Sequence, residues 1–281
     1  MSNYFEYCTL EDLRGQKMPA ETSLVAGTGE GTFALGLIRE VSGIINGIAR
    51  REFVPTVATR YFNATEQVSG ADLLLDKDLL SVTTVTNGDA VVVAANERTT
   101  RGKNETPYWA IRLLTSSSKM WTYSTDPEDA ITVAGIWGYH DDYTNAWETL
   151  TTLAANSNTS ATSLTLTAAT GNPGELWMIW SEFFYLSART TTTATVVPAV
   201  NGSTAAAHTA GNTIYRWRLA SCRGGGQFIP ALCRNAVAIK FAIRENQQIE
   251  SITVDNHVVS VPKDISAYIR DELIRLGLVR Q

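Results

Sequence analysis

Charge is scarce in this chain, and so are cysteine and histidine. Charged residues make up only 18% of its 281 positions, with three cysteines and three histidines. No unbroken apolar run approaches the ~18 residues that a membrane-spanning helix requires, so no membrane anchor is expected. Cys8, Cys222 and Cys233 are too few and too scattered for a disulfide framework, and none stands in a CxxC spacing. They read as reduced thiols of a protein made in the cytoplasm. Met1 to Leu10 lacks a basic region ahead of an apolar stretch, so use without Sec export is expected. The four Asn-x-Ser/Thr triplets, at Asn63, Asn104, Asn158 and Asn201, then carry no weight as glycan acceptors.

The balance of 28 acidic against 23 basic residues gives a net charge of −5, the wrong sign for a protein that grips phosphate backbones. What remains is globular: 44% of the residues are hydrophobic, and the length suits one large domain or two.

Charge is also unevenly spread. From Thr149 to Tyr215 the only charged residues are Glu175, Glu182 and Arg189, set among Thr, Ala, Ser and Gly. That shift marks a module. Within it Ser163–Ala168, Leu176–Ser181, Phe183–Ala188, Thr192–Val197 and Thr213–Trp217 are short, β-branched or aromatic, and separated by Gly, Pro and Asn. Such spacing predicts a small sandwich or barrel.

Outside the module, Phe33, Leu37, Ile38, Val41, Ile44, Ile45 and Ile48 recur with helical period, predicting a helix over 32–51 with Thr32 as its N-cap. Two further stripes, Leu232-Ala236-Ile239-Ile243 behind Pro230 and Ile265-Ile269-Leu273-Leu276 behind Pro262 and Asp264, predict two more helices. Between them lie extended segments at 59–63, 73–75, 81–86, 90–95 and 130–139. Asn87-Gly88-Asp89 stands where a hairpin should turn, because Asn and Gly tolerate positive φ. The expected fold class is therefore α+β: a helical core with a β-hairpin, built from residues 1–142 and 219–281, interrupted by an all-β insertion over 143–218.

Catalytic chemistry finds little support. Gly27, Gly29 and Gly31 precede the first long helix, but their spacing is not GxGxxG and no Lys-Ser/Thr pair follows, so a flexible lead-in is preferred to a phosphate cradle. His140, Asp141, Asp142 and nearby Glu148 suggest metal ligation or acid–base work, yet neither His208 nor His257 completes a ligand spacing, and a solvated turn is the plainer reading. No GxSxG elbow is present, and the acidic pairs Glu11-Asp12 and Asp126/Glu128-Asp129 read as surface carboxylates. No catalytic, metal or cofactor site is expected. Trp177, Trp180, Phe183, Phe184 and Tyr185 admit a sugar- or protein-binding platform, with Trp177, Trp180 and Tyr185 the candidate surface aromatics; a filled β core is the competing use of the same residues.

Two runs, GEGTFALGLIREVSGIINGIARREFVPTVATRYFNA (29–64) and LLLDKDLLSVTTVTNGDAVVV (73–93), together with WAIRLL (109–114), ITVAGIWGYH (131–140) and VPKDISAYIRDELIRLGLVR (261–280), follow one another in an order that resembles the head-tail connector, or head-completion adaptor, proteins of tailed bacteriophages. The phrase VVPAVNGSTAAAHTAGNTIYR (196–216) is similar to one in small β modules of phage structural proteins, a module that simpler connectors lack. The resemblance implies a non-catalytic virion protein in the neck. It would form a homo-oligomeric ring, twelve-fold in the family, between the portal protein and a downstream tail or stopper protein, and double-stranded DNA would pass through without sequence-specific binding. A heterologous interface that closes generates such a ring. It would need no cofactor and no membrane. The helix over 32–51 is expected to pack on 232–243, while the C-terminal helix meets the portal or a neighbouring subunit through Asp264, Arg270, Asp271, Glu272 and Arg275. An ordinary solvated helix face is the other reading of those charges. Two further functions stay open: host-glycan recognition or virion decoration by the insertion, and, more remotely, hydrolysis.

Overall fold

The computed structural model describes residues 4, 6–14, 29–102, 106–219, 228–245, 251–254, 257–260 and 264–280. The chain forms two compact units, residues 53–145 and the combination of 1–52 with 146–281.

The continuous unit is a six-stranded antiparallel sheet. Its strands are β1 (Thr56–Phe62), β2 (Val68–Ser69), β3 (Asp72–Thr86), β4 (Arg98–Arg101), β5 (Tyr108–Leu113) and β6 (Ile131–Trp137), in the order β1-β6-β3-β5-β4, with β2 on β3. Strand β6 shows why the sheet forms. Ile131, Val133, Gly135 and Trp137 are buried while Thr132, Ala134 and Ile136 are half-exposed, the period-two pattern that puts alternate side chains on one face. They meet Phe62, Leu73, Leu75, Leu79, Val85 and Ile111 in one core. Trp137 donates its indole N–H to the Ala58 carbonyl at 3.0 Å, and the Arg60 guanidinium lies 5.0 Å from its ring centroid. Gly135 is required where β3 shifts register around Ser81 and Val82, because a Cβ there would overlap the Ser81 carbonyl oxygen.

The discontinuous unit holds a second six-stranded antiparallel sheet, in the order β7-β12-β9-β10-β11-β8. These strands are β7 (Trp147–Thr152), β8 (Ser163–Thr165), β9 (Leu176–Ile179), β10 (Glu182–Thr190), β11 (Thr193–Val197) and β12 (Thr213–Trp217). Its core is Leu153, Leu164, Leu166, Trp177, Ile179, Phe184, Leu186, Ala194, Val196 and Ile214. The helices of this unit are α1 (Leu10–Arg14), α2 (Gly29–Ala49), α3 (Phe228–Glu245) and α4 (Ile265–Arg275), with a two-stranded hairpin of β13 (Ser251–Val254) and β14 (His257–Ser260) between the last two. Helix α2 packs on α3 and α4, and α3 on α4. Its buried stripe is Ala34, Ile38, Val41, Ile45 and Ala49; Phe33 meets Phe241 edge-on at 5.8 Å, and Lys240 pairs with Glu40. By length and composition α2 would also suit a bilayer. Arg39 and Glu40 at its centre and the stripe it buries fit a core helix instead.

The fold class expected from the sequence is therefore overturned. The described residues are mostly β, with two six-stranded antiparallel sheets and about 25% helix in four helices, rather than a helical core carrying an insertion. The periodic helices overweighted the sequence reading, since 56–137 yields a full sheet whose short or polar strands carry weak periodicity. Two local expectations change as well. Helix α2 begins at Gly29, so Thr32 lies inside it rather than at its N-cap. The turn after Thr86 is present, with the Asn87 N–H donating to Val91 O at 2.9 Å, but 90–95 returns as a single bridge, Thr86 to Val92, and not a strand. The positive φ falls on Ala90, at 64°. Gly88 is needed for close approach: its N–H donates to Thr122 O at 3.1 Å, and a Cβ would overlap that oxygen.

Candidate interface and binding residues

Helix α4 owes its start to Asp264, whose carboxylate accepts from the Ser266 and Ala267 N–H groups at 2.8 and 3.3 Å. That is an N-cap, and it commits this side chain to its own backbone. Ile269 and Leu273 are buried, and the opposite face presents Arg270, Asp271, Ile274 and Arg275. Glu272 accepts from Arg275 at 2.6 Å within the helix. Such an exposed i,i+3 pair contributes only ~0.2–0.5 kcal/mol. Ile274 stands out, with 58% of its surface exposed among charged neighbours. Sequence reading passed over it because it lies off the apolar stripe.

The three aromatics of the β module separate cleanly. Trp177 is fully buried and donates its indole N–H to Glu175 at 2.9 Å. Tyr185 is buried and stacked on Tyr4 at 4.3 Å; burial, then the nearby Glu6 carboxylate, push its phenol well above the ordinary range. Trp180 is 74% exposed. It sits with Ser181 in the two-residue turn joining Ile179 to Glu182, at a φ of 58°. Gly, Asn or Asp ordinarily occupies that conformation; a bulky aromatic there is an outlier.

A buried polar cluster went unseen in the sequence. Glu182 and His208 are each almost wholly buried, with His208 Nε2 2.8 Å from Glu182 Oε2. The same carboxylate accepts from the Ala199 and Ala206 N–H groups at 3.2 and 2.9 Å. Next to it, Ser203 accepts from the Phe183 N–H and donates to Val200 O, both at 2.9 Å. Together these bonds pin the loop 198–208 onto the start of β10. The signal was available: three charged residues in a charge-poor stretch each demand partners. Glu175 meets Trp177 and Arg216, and Arg189 donates to the carbonyls of Gly171 and Thr191.

The plainer expectation of a solvated turn is corrected at His140, which is buried. Its Nδ1 accepts from the Asp142 N–H at 2.9 Å and its carbonyl from Thr106 Oγ1 at 2.8 Å, which makes it the knot of a turn. Asp141 Oδ1 lies 3.8 Å from Nδ1. Glu148 is placed elsewhere, paired with Arg216 at 2.8 Å, which holds its carboxyl below the usual range. Among the described residues no group of three or more His, Cys, Asp or Glu is arranged to hold a metal ion. Gly29 and Gly31 belong to α2, and Gly27 lies outside the described residues.

The N-terminal segment ties the unit together. Tyr4 N–H donates to Asn201 Oδ1 at 2.8 Å, and Asn201 Nδ2 returns a bond to Tyr4 O at 3.1 Å. Glu6 accepts from Arg39 at 2.7 Å, a bond that raises the pKa of that guanidinium; the Tyr7 N–H donates to Ser42 Oγ at 3.1 Å. Comparison with protein-family models, with curated proteins and with solved structures finds no match.

Proposed function

We propose that this chain is a structural adaptor of a tailed-phage neck, one subunit of a homo-oligomeric ring between portal and tail. The observation that carries the reading is the ordered set of connector-like phrases, from 29–64 through to 261–280, in a chain with net acidic charge. A negative surface favours passage of DNA over adhesion, since adhesion would be electrostatic. The outward face of α4, with Ile274 exposed between Arg270, Asp271 and Arg275, is the portal- or neighbour-facing surface on this reading. An apolar residue rimmed by charge is the composition of a small interface core.

The test is made on particles. Mass spectrometry of purified virions should find the chain as a minor-copy component, and reconstruction of the neck should place it there. A host complemented only with Ile274→Glu should fill heads that fail to join tails. Absence of the chain from mature particles refutes the adaptor reading outright.

One observation favours a second reading, recognition of a host surface by the β module. Trp180 projects from a hairpin tip in a conformation that costs stability. Trp180→Ala particles that join tails but adsorb poorly support that use; particles that adsorb normally remove it.

A further inference from the structure

We propose that Cys8 and Cys233 form an oxidation site: a small-molecule disulfide, such as oxidised glutathione, converts them to an internal disulfide that staples the N-terminal segment to α3. The two sulfurs stand 3.4 Å apart although 225 positions separate them in the chain. A disulfide bond is ~2.05 Å long, so the sulfurs need approach by only about 1.4 Å, within reach of small side-chain rotations.

Both ends are held. On one side the Tyr7 N–H donates to Ser42 Oγ, Asp12 accepts from the Thr9 N–H at 2.7 Å to fix the start of α1, and Leu10 and Leu13 are buried. On the other, Cys233 is flanked on α3 by buried Ile229, Leu232, Ala236 and Val237. Ser42 Oγ also lies 3.6 Å from Cys233 Sγ, so the hydroxyl that accepts from the Tyr7 N–H, next to Cys8 in the chain, also touches Cys233. Two thiols that merely filled a core would be free to point apart; these point at each other.

The site is also guarded. Cys8 is 4% exposed and Cys233 fully buried, and burial, with the neighbouring sulfur second, pushes the Cys8 thiol up, so little thiolate exists in the closed state. Reaction therefore requires the N-terminal segment to lift. The steps then balance. The Cys8 thiol loses its proton and its thiolate attacks one sulfur of the small disulfide, breaking that S–S bond and releasing one small thiolate. The Cys233 thiolate attacks the Cys8 sulfur of the mixed disulfide and expels the second. Two protein thiols are oxidised and one small disulfide is reduced to two thiols, which take up the protons that Cys8 and Cys233 lose.

The experiment uses the full chain in a Cys222→Ser background, refolded from urea and, separately, incubated folded, in oxidised or reduced glutathione. Refolding in oxidised buffer should yield a peptide linking Cys8 to Cys233, loss of two hydrogen masses from the intact protein, and a Tm roughly 5–15 °C above that of the reduced sample. The folded sample should reach the same product more slowly. Cys8→Ala, folded and reduced, should show no rise on oxidation. The proposal fails if refolded protein keeps both thiols free, stops at glutathione adducts, or links between chains. It fails equally if the Tm rise survives in Cys8→Ala.

Discussion

The sharpest energetic prediction concerns Glu182. Its carboxylate is the shared acceptor for the Ala199 N–H, the Ala206 N–H and His208 Nε2, at 3.2, 2.9 and 2.8 Å, and its side chain is almost completely buried. Removing an acceptor leaves each buried donor to bear its own desolvation, ~1–3 kcal/mol apiece. Glu182→Ala strands three donors, and allowing for partial rehydration of the loop the expected loss is about 3–5 kcal/mol. Glu182→Gln keeps one carbonyl oxygen. Turned toward Ala206 and His208 it preserves two bonds, and its NH2 then confronts the Ala199 N–H, a loss of about 1–3 kcal/mol. His208→Phe removes one donor and leaves the carboxylate two partners, so it should cost less than Glu182→Ala. Urea unfolding followed by tryptophan fluorescence, with Trp147, Trp177 and Trp217 in the same unit as reporters, measures the series. The expected order of destabilisation is Ala above Gln. Variants that all fall within about 0.5 kcal/mol of the parent, the range of ordinary surface substitutions, would refute the claim that this carboxylate holds the 198–208 loop.

Three further outcomes follow from other places in the fold. Trp180→Gly should raise stability by up to about 1 kcal/mol in a thermal melt, because glycine adopts positive φ without the Cβ clash. Gly135→Ala should destabilise the 53–145 unit by about 2–3 kcal/mol, since the new Cβ overlaps the Ser81 carbonyl across a ladder that cannot shift freely; isolated expression of 53–145 with circular dichroism reads it. Asp72 accepts from Arg101 at 2.8 and 3.1 Å, and that bond holds its carboxyl below the usual range. A lowered folded value means the contribution is complete above the unfolded value near ~3.9 and is lost as pH falls toward the folded one. Asp72→Asn should therefore be less stable than the parent at pH 7, and the difference should shrink below about pH 4 in acid titrations of stability. A gap that widens on acidification would contradict the assignment.

How much of this was legible beforehand depends on the type of signal. The helices α2, α3 and α4 were readable because apolar residues at period 3.6 survive in any context, and the strands of the β module because β-branched pieces alternate with Gly, Pro and Asn. Strand β3 was read as two pieces, since Asp76, Lys77 and Asp78 interrupt its apolar pattern; in the fold the chain runs extended through them with a change of register. Strand β4, Arg98-Thr-Thr-Arg101, carries no apolar residue, as suits a sheet edge kept from pairing further. That Glu182 needs a partner follows from its charge-poor surroundings, but which partner it takes was hidden for a different reason. Glu182 and His208 lie 26 positions apart and answer to no motif, so only the topology of β10 and the following loop brings them together. Among the interface candidates, Asp264 is a helix cap, while Trp177 and Tyr185 are core residues; burial decides these roles, and burial is a tertiary property.

The order in which the chain leaves the ribosome matters for a molecule built this way. The sheet over 53–145 is contiguous and has all its strands once that stretch has emerged. Tyr4 and Cys8, by contrast, await Asn201 and Cys233, which arrive some two hundred positions later. The segment around Tyr4 and Cys8 emerges before both sheets yet is among the last to find its place, so a bulky substitution there would interfere with the closing stage of assembly rather than its beginning.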